Sequence, residues 1–143
     1  RLFGDWATAF LDALEHAHAP SPAVRVKAIL DGEQGNRVRL QWLARETGCH
    51  PTRLRSQFKA LFGVSIREYC TRRRVVQAAR LLMTSDLKVD AVARAAGFRS
   101  RKNFYDAFDR LVGTTPTTVR TWSLLQVESL ERRLGDVKVT GGI

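Results

Sequence analysis

Hydrophobic residues recur every three or four positions along almost the whole chain, which is the spacing of amphipathic helices. Strand signals are nearly absent, because Val, Ile and Thr rarely alternate with polar residues and no Asn-Gly or Asp-Gly hairpin turn occurs. The pattern therefore predicts an all-α protein. A first helix is predicted before residue 20, ended by a linker that contains two prolines. Its apolar face consists of Phe3, Trp6, Ala7, Phe10, Leu14 and Ala17.

A long helix is predicted in the middle of the chain, over about 65–85. We expect its core-facing residues to be Ile66, Tyr69, Val76, Ala79 and Leu82. The other predicted features outside the repeat described next are a helix over about 22–31, a polar loop over 32–36, a last helix from about 115 to 134 and a frayed tail over 137–143.

The pattern before the long helix restarts after it, so that 38–63 and 88–113 form an internal repeat. At an offset of 49, Ala44, Arg45 and Gly48 each meet an identical residue, and at an offset of 50 so do Phe58, Leu61 and Gly63. Each copy is a short helix, a turn containing glycine and a second helix, which is helix-turn-helix spacing. We therefore expect two helix-turn-helix subdomains joined by a long linker helix, in a homeodomain-like arrangement. The expected domains are an N-terminal helix over 1–20, a tandem helix-turn-helix domain over 21–120 and a C-terminal extension over 121–143.

Charge sharpens this picture. The 143 residues carry a formal net charge of +10, and 44% of them are hydrophobic, enough for a real core. The charge is uneven: residues 21–120 hold 20 basic and 8 acidic side chains, a net +12. A compact basic module of this kind favours a polyanionic partner, above all a nucleic acid.

Several function classes are excluded by what the sequence lacks. Two cysteines and three histidines do not make a disulfide framework or a metal site, and we expect Cys49 and Cys70 to be buried small residues. No apolar run is long enough to span a membrane. No phosphate-binding loop, HExxH motif or nucleophile elbow occurs, so we expect neither an enzyme nor a cofactor. The composition suits the reducing cytoplasm, and the missing initiator Met suggests a piece of a longer protein.

The second helix of each copy carries the candidate DNA-binding residues, on the side away from its apolar face. Arg55 suits a bidentate contact to guanine, and Asn103 suits an adenine edge. Asp106 suits a cytosine amino group, or it orients a neighbouring arginine. The candidates on the first such helix are Thr52, Arg53, Arg55, Ser56 and Lys59, of which Arg53 and Lys59 resemble phosphate contacts. Those on the second are Arg101, Lys102, Asn103, Tyr105 and Asp106.

Two features nearby leave their interpretation open, and a third bears on the affinity for DNA. The run 72–74 consists of three arginines on the long helix and suits a solvated face as well as phosphate contact. His50 lies in the first turn, where it is either solvated or in contact with phosphate. Asp109 adds a carboxylate to the second candidate helix, whereas no acidic residue lies between Leu54 and Phe62. We therefore expect the first unit to supply more of the affinity for DNA.

The segments 93–98, 104–108 and 113–116, read as ARAAGF, FYDAF and GTTP and followed by Arg120, resemble the C-terminal signature of AraC/XylS-type bacterial transcription regulators. The stretch 40–63 resembles the first helix-turn-helix of that family. The resemblance implies a sequence-specific regulator whose two recognition helices read successive major grooves of double-stranded DNA. The chain departs from the family pattern at two positions. Asp109 stands where a basic residue is usual, and Val119 stands where an aromatic residue is usual.

Partners beyond DNA follow from the resemblance alone. It implies RNA polymerase as a protein partner and an N-terminal region through which such proteins form homodimers. The helix before residue 20 is then either the end of a regulatory or dimerisation domain or a helix that packs on the DNA-binding module. The competing hypothesis is a helical protein-interaction module that binds an acidic partner without specific DNA readout.

Overall fold

The computed structural model describes residues 20–32 and 38–135. Within these ranges the chain is helical and contains no strand, which confirms the all-α prediction. The predicted helix before residue 20, part of the polar loop and the tail lie outside the described residues. The helices are α1 (Pro22–Leu30), α2 (Leu40–Thr47), α3 (Pro51–Phe62), α4 (Ile66–Thr84), α5 (Val89–Ala95), α6 (Arg101–Val112), α7 (Pro116–Val119) and α8 (Leu124–Gly135).

Short polar side chains and glycines set the ends of these helices. Ser65 and Ser100 cap α4 and α6, each accepting a hydrogen bond from the backbone N–H three residues later, at 3.0 and 3.1 Å. Gly63 and Gly113 end α3 and α6 in the left-handed region, both at a φ of 78°. The two helix-turn-helix units therefore stop at equivalent points, as the repeat predicts.

Two hydrophobic cores form, one for each unit, and α4 contributes to both. The N-terminal part of α4 places Ile66 and Tyr69 in the first core, while its C-terminal part buries Ala79 and Leu82 in the second. The first core is Ala23, Val26, Leu30, Leu43, Ala44, Leu54, Phe58, Phe62, Ile66 and Tyr69. The second core is Val75, Ala78, Ala79, Leu82, Val92, Ala93, Ala96, Phe98, Phe104, Ala107, Phe108, Leu111, Val119, Leu130 and Leu134. A single helix thus joins two separately packed units.

The prediction that Val76 faces the core is confirmed in part, because Val76 packs against the second core without being fully buried in it. Val75 is fully buried, and Val76 lies half-buried at the edge of the second core. The buried face of this part of α4 runs through Val75, Ala78, Ala79 and Leu82, which is the i, i+3, i+4, i+7 spacing of one helix stripe. Val76 is turned by about 100° from Val75.

The prediction of one helix from about 115 to 134 is wrong, because the chain turns between α7 and α8. Thr121 and Trp122 donate backbone hydrogen bonds three residues back, to Thr118 and Val119, both at 3.0 Å, and these tighter bonds end α7. The Gln126 side chain then accepts a hydrogen bond from the Ser123 N–H at 2.8 Å. This Ser-x-x-Gln arrangement is half of a capping box and starts a new helix.

Candidate nucleic-acid interface

The first predicted recognition helix, α3, has one buried and one exposed side. Leu54, Phe58 and Phe62 are buried in the first core. The predicted DNA-facing residues are all exposed: Thr52, Arg53, Arg55, Ser56 and Lys59. They form none of the side-chain ion pairs found in the described ranges, so α3 presents three unpaired cations on a face without a carboxylate.

His50 caps α3, since its Nδ1 accepts a hydrogen bond from the Thr52 N–H at 3.3 Å. The ring stays exposed. The sequence left a solvated or a phosphate-contacting His50 open, and the structure adds a structural role at the start of the recognition helix.

The second recognition helix, α6, is built in the same way, with Phe104, Phe108 and Leu111 buried. Four of its five predicted DNA-facing residues are exposed, namely Arg101, Lys102, Asn103 and Asp106. Tyr105 is half-buried: its ring meets the edge of Phe104, and the Arg101 guanidinium lies 5.5 Å from the ring centre. Part of the Tyr105 ring is therefore occupied by contacts within its own helix.

The structure places the predicted residues on two separate helices rather than in one cluster, with five exposed residues on α3 and, on α6, four exposed residues and the half-buried Tyr105. The α6 face is the more constrained, because Arg101 also lies 3.7 Å from Asp90 of α5. Both carboxylates that distinguish the second unit, those of Asp106 and Asp109, are exposed.

The arginine run 72–74 on α4 was open to two interpretations, a solvated face or phosphate contact. The structure adds a third role, because its first two members form contacts that stabilise the fold. Arg72 lies 3.2 Å from Glu68, one helical turn away. Arg73 donates to a carboxylate oxygen and to the backbone carbonyl of Asp31, both at 3.2 Å. All three arginines are half-buried. Arg73 thereby ties the end of α1 to the linker helix.

Asp31 is the centre of that tie. It accepts hydrogen bonds from the Tyr69 hydroxyl and, at 2.8 Å, from the Lys27 ammonium, in addition to Arg73. Burial and the Asp31 hydrogen bond raise the pKa of Tyr69, and the same carboxylate raises the pKa of Lys27. The sequence offered no signal for this cluster, because Asp31 and its bonded partner Arg73 lie 42 residues apart.

An ion pair links the second recognition helix to the first half of α4. Arg110 of α6 donates to both carboxylate oxygens of Glu68, at 2.8 and 2.9 Å. This bidentate pair, with help from Arg72, outweighs the burial of the carboxyl and lowers the pKa of Glu68. Glu68 neighbours the first-core residues Ile66 and Tyr69, so the pair connects the two units directly.

Two further arginines bind backbone carbonyls inside the protein. Arg120 donates to the carbonyls of Leu82, Ser85 and Leu87 and so anchors the connection between α4 and α5. Arg133 of α8 donates to the Leu111 carbonyl at 2.8 Å, near the end of α6. These residues contribute to the positive charge of the chain, but their guanidinium groups bind backbone carbonyls of the protein itself.

Cys49 and Cys70 are half-buried at the edge of the first core, rather than fully buried, and burial raises the pKa of the Cys70 thiol. No group of His, Cys, Asp and Glu suited to a metal ion occurs among residues 20–32 and 38–135. No helix in the same ranges is long and apolar enough to cross a membrane.

Comparison with known proteins decides the family. A helix-turn-helix domain model matches residues 43–121, which include most of the first unit, the linker helix and the second unit. The chain is 30% identical over 118 residues to the thermoregulatory protein LcrF of Yersinia pestis, covering 82% of this chain and 43% of LcrF. It is 31% identical over 91 residues to the transcriptional activator AarP of Providencia stuartii, covering 64% of this chain and 67% of AarP.

The chain belongs to the AraC/XylS-type family of transcription regulators. Its fold is similar to the DNA-binding domain of the global transcriptional factor AdpA, solved in complex with a target DNA, with a TM-score of 0.61 and 28% identity. That match covers 82% of this chain and 99% of the AdpA domain. Membership of a family of regulators agrees with the prediction that the chain is not an enzyme. The chain spans less than half the length of LcrF.

Proposed function

We propose that this chain is the sequence-specific DNA-binding part of a transcription regulator and that α3 and α6 enter two successive major grooves on one side of the duplex. The observation that carries the proposal is the pairing of two capped helices, each buried on one side and polar on the other, across one linker helix. A helix held in this way fits the width of a major groove and offers its outer side chains to the base edges.

The roles of the α3 residues follow from their chemistry. The Arg55 guanidinium is exposed, belongs to no described ion pair and has the fork geometry that pairs with guanine O6 and N7. Thr52 and Ser56 suit bases or a thymine methyl group, while Arg53 and Lys59 suit phosphates.

The α6 residues suit contacts to particular bases, combined with a weaker electrostatic attraction to the DNA backbone than that of α3. Asn103 suits an adenine edge, and Arg101 and Lys102 supply positive charge. Asp106 and Asp109 repel phosphates, so the second unit contributes less of the affinity. Tyr105 stabilises the helix and presents its remaining exposed edge to the DNA.

The experiment that tests this function is a salt titration of DNA binding by the 143-residue chain. A duplex selected by the chain from random DNA is compared with an unrelated duplex of the same length. We expect affinity to fall linearly on a double-logarithmic plot, and the selected site to bind about 10³-fold or more tighter than unrelated DNA. Equal affinity for both duplexes, or no binding at moderate salt, would instead favour a helical module that binds an acidic protein.

A further inference from the structure

A cleft of about 700 Å³ lies between the start of the linker helix and the second recognition helix. One wall is formed by residues from the start of α4, including Ser65, Arg67 and Thr71. The other wall includes Arg99, which precedes α6, and Asn103 and Asp106 of α6 itself. We refer to it as the inter-unit cleft. No residue of α3 is among those that line it, but Ser65 follows the last residue of that helix by only three positions.

The inter-unit cleft is positively charged. Four arginines and two carboxylates line it, leaving a net +2. One carboxylate, Glu68, is already neutralised by its bidentate pair with Arg110 and its contact with Arg72. An anionic group from another molecule therefore has to be bound in this cleft by arginines other than Arg110.

Of the other three arginines, Arg74 is half-buried and has an interaction of its own, whereas Arg67 and Arg99 are exposed. Both side chains are exposed, and neither forms a hydrogen bond or ion pair with another described residue. The backbone of each arginine is fixed by its neighbours. Arg67 follows the buried Ile66 in the first turn of α4, and Arg99 lies between the buried Phe98 and the capping Ser100. Two exposed arginines thus line the same cleft, one from α4 and one from the segment just before α6.

The position of the cleft indicates which anion it meets. Asn103 and Asp106, two of the candidate base-reading residues, line it. If α6 lies in a major groove, the sugar-phosphate strand that borders this groove passes the mouth of the cleft. If α3 lies in the next groove, about one helical turn away, that strand crosses between the two helices. A phosphate group on it suits a guanidinium fork.

We propose that Arg67 and Arg99 bind backbone phosphates of the DNA strand that crosses between the two recognition grooves. This inference rests on the proposed DNA-binding function and assigns to it two residues outside both recognition faces. The contacts carry no sequence information, since every nucleotide has the same phosphate. They position the duplex against the linker helix and so fix the register of both units at once.

The test measures DNA affinity of Arg67→Ala, Arg99→Ala and the double variant over a range of salt concentrations. Each single change is expected to weaken binding to the selected and the unrelated duplex by the same factor and to reduce the salt slope by about 0.9. The double change is expected to reduce it by about 1.8. The matched control is Arg132→Ala, which removes one exposed guanidinium from α8 and is expected to leave the slope unchanged.

A second arm places the phosphate without relying on the variants alone. Single neutral methylphosphonate linkages are introduced at successive positions of the selected duplex. At the central positions, between the two contacted grooves, the neutral linkage is expected to weaken binding of the parent chain severalfold and to have little further effect on Arg67→Ala or Arg99→Ala.

Each outcome is decisive. Slopes like that of Arg132→Ala, or no coupling to any linkage, would overturn the phosphate proposal while leaving DNA binding intact. A fall in the ratio of specific to unrelated affinity would also overturn it, because it indicates base contact. If the parent chain selects no site at all, the proposed function fails and this proposal fails with it.

Discussion

The two helix-turn-helix units share an internal frame and differ in their outer faces. Phe58 and Phe108 occupy equivalent buried positions, at 0% and 1% exposure, and each recognition helix ends at a left-handed glycine with the same φ. Outside this frame, α3 carries Arg53, Arg55 and Lys59 without a carboxylate, whereas α6 mixes cations with acids. Packing constrains only the buried side of a recognition helix, so the exposed side is free to differ.

The units are also closed and supported differently. The first core is covered by α1 from the N-terminal side, and the second by α7 and α8 from the C-terminal side. The second recognition helix is in addition held by Glu68 through Arg110, and its end is held by Arg133. No comparable ion pair restrains α3 within the described residues. The recognition helix of the first unit therefore carries cations without an ion-pair partner among the described residues, whereas the recognition helix of the second unit is held in place by Arg110 and Arg133.

The largest expected effect tests the shared frame. Phe58→Ala and Phe108→Ala should each lower the free energy of unfolding by about 3–5 kcal/mol, because both remove a fully buried ring. Denaturant unfolding measures the change. Leu125→Ala is the control, since Leu125 is 72% exposed and its loss should change stability by no more than about 0.5 kcal/mol. If one phenylalanine variant is as stable as the parent, the units do not share their frame.

The next effect tests which unit dominates recognition. Arg55→Ala should lose about 1–3 kcal/mol of specific binding and relax the preference at one base position, because it removes a bidentate base contact. Asn103→Ala should lose less. Competition binding with single-base variants of the selected site measures both. If Arg55→Ala still discriminates between base pairs and Asn103→Ala does not, the second unit dominates recognition.

A smaller effect tests the brace on the second unit. Glu68→Gln should destabilise the fold by about 1 kcal/mol at neutral pH, because it removes the charge from an ion pair that is partly exposed to solvent. The folded state lowers the pKa of Glu68, so its stabilisation is complete above the ordinary value of 4.5 and is lost as pH falls through the lowered pKa.

Denaturant unfolding over this acidic range measures the prediction for Glu68. The difference between the parent and Glu68→Gln should shrink as the pH falls. Glu46→Gln is the control, because the Glu46 side chain is exposed and belongs to no ion pair in the described ranges. If the difference in unfolding free energy between the parent and Glu68→Gln stays constant with pH, the charge of Glu68 does not contribute to stability.

The smallest effect tests the acids on the second face. Asp109→Lys should strengthen binding to every duplex and steepen the salt dependence by about one unit, because a cation replaces a carboxylate near phosphates. Asp86→Lys makes the same charge change in the exposed connection after α4 and serves as the control. Equal responses from both variants would mean that Asp109 lies away from the DNA.

Much of this architecture could be predicted from periodicity, because the buried residues of each unit recur at helical spacing. The repeat located both turns and the buried faces around Phe58 and Phe108. The division of α4 between two cores was harder to predict, since neighbouring Val75 and Val76 look equivalent in sequence. The break before α8 had a signal in the Ser-x-x-Gln pattern at 123–126, but the apolar periodicity on both sides of it suggests one continuous helix.

The candidate site was predictable only in part, because charge count does not reveal charge pairing. Arg55 and Lys59 could be placed on an exposed face from their spacing relative to Leu54 and Phe58. By contrast, Arg73 and Arg110 are engaged by carboxylates 42 residues away in the sequence. Such pairs depend on how α1 and α6 pack against α4, and a local pattern carries no information about that packing.

Two-groove reading by the paired units is the central claim, and a hydroxyl-radical footprint of the chain on its selected duplex tests it most directly. Two protected patches, centred about 10 base pairs apart on one face of the DNA, are expected, because successive major grooves repeat with that spacing. Scrambling the bases in either patch should weaken binding, with the larger loss at the patch that Arg55→Ala exposes. A single patch, unaffected by changes in α6, would contradict the claim.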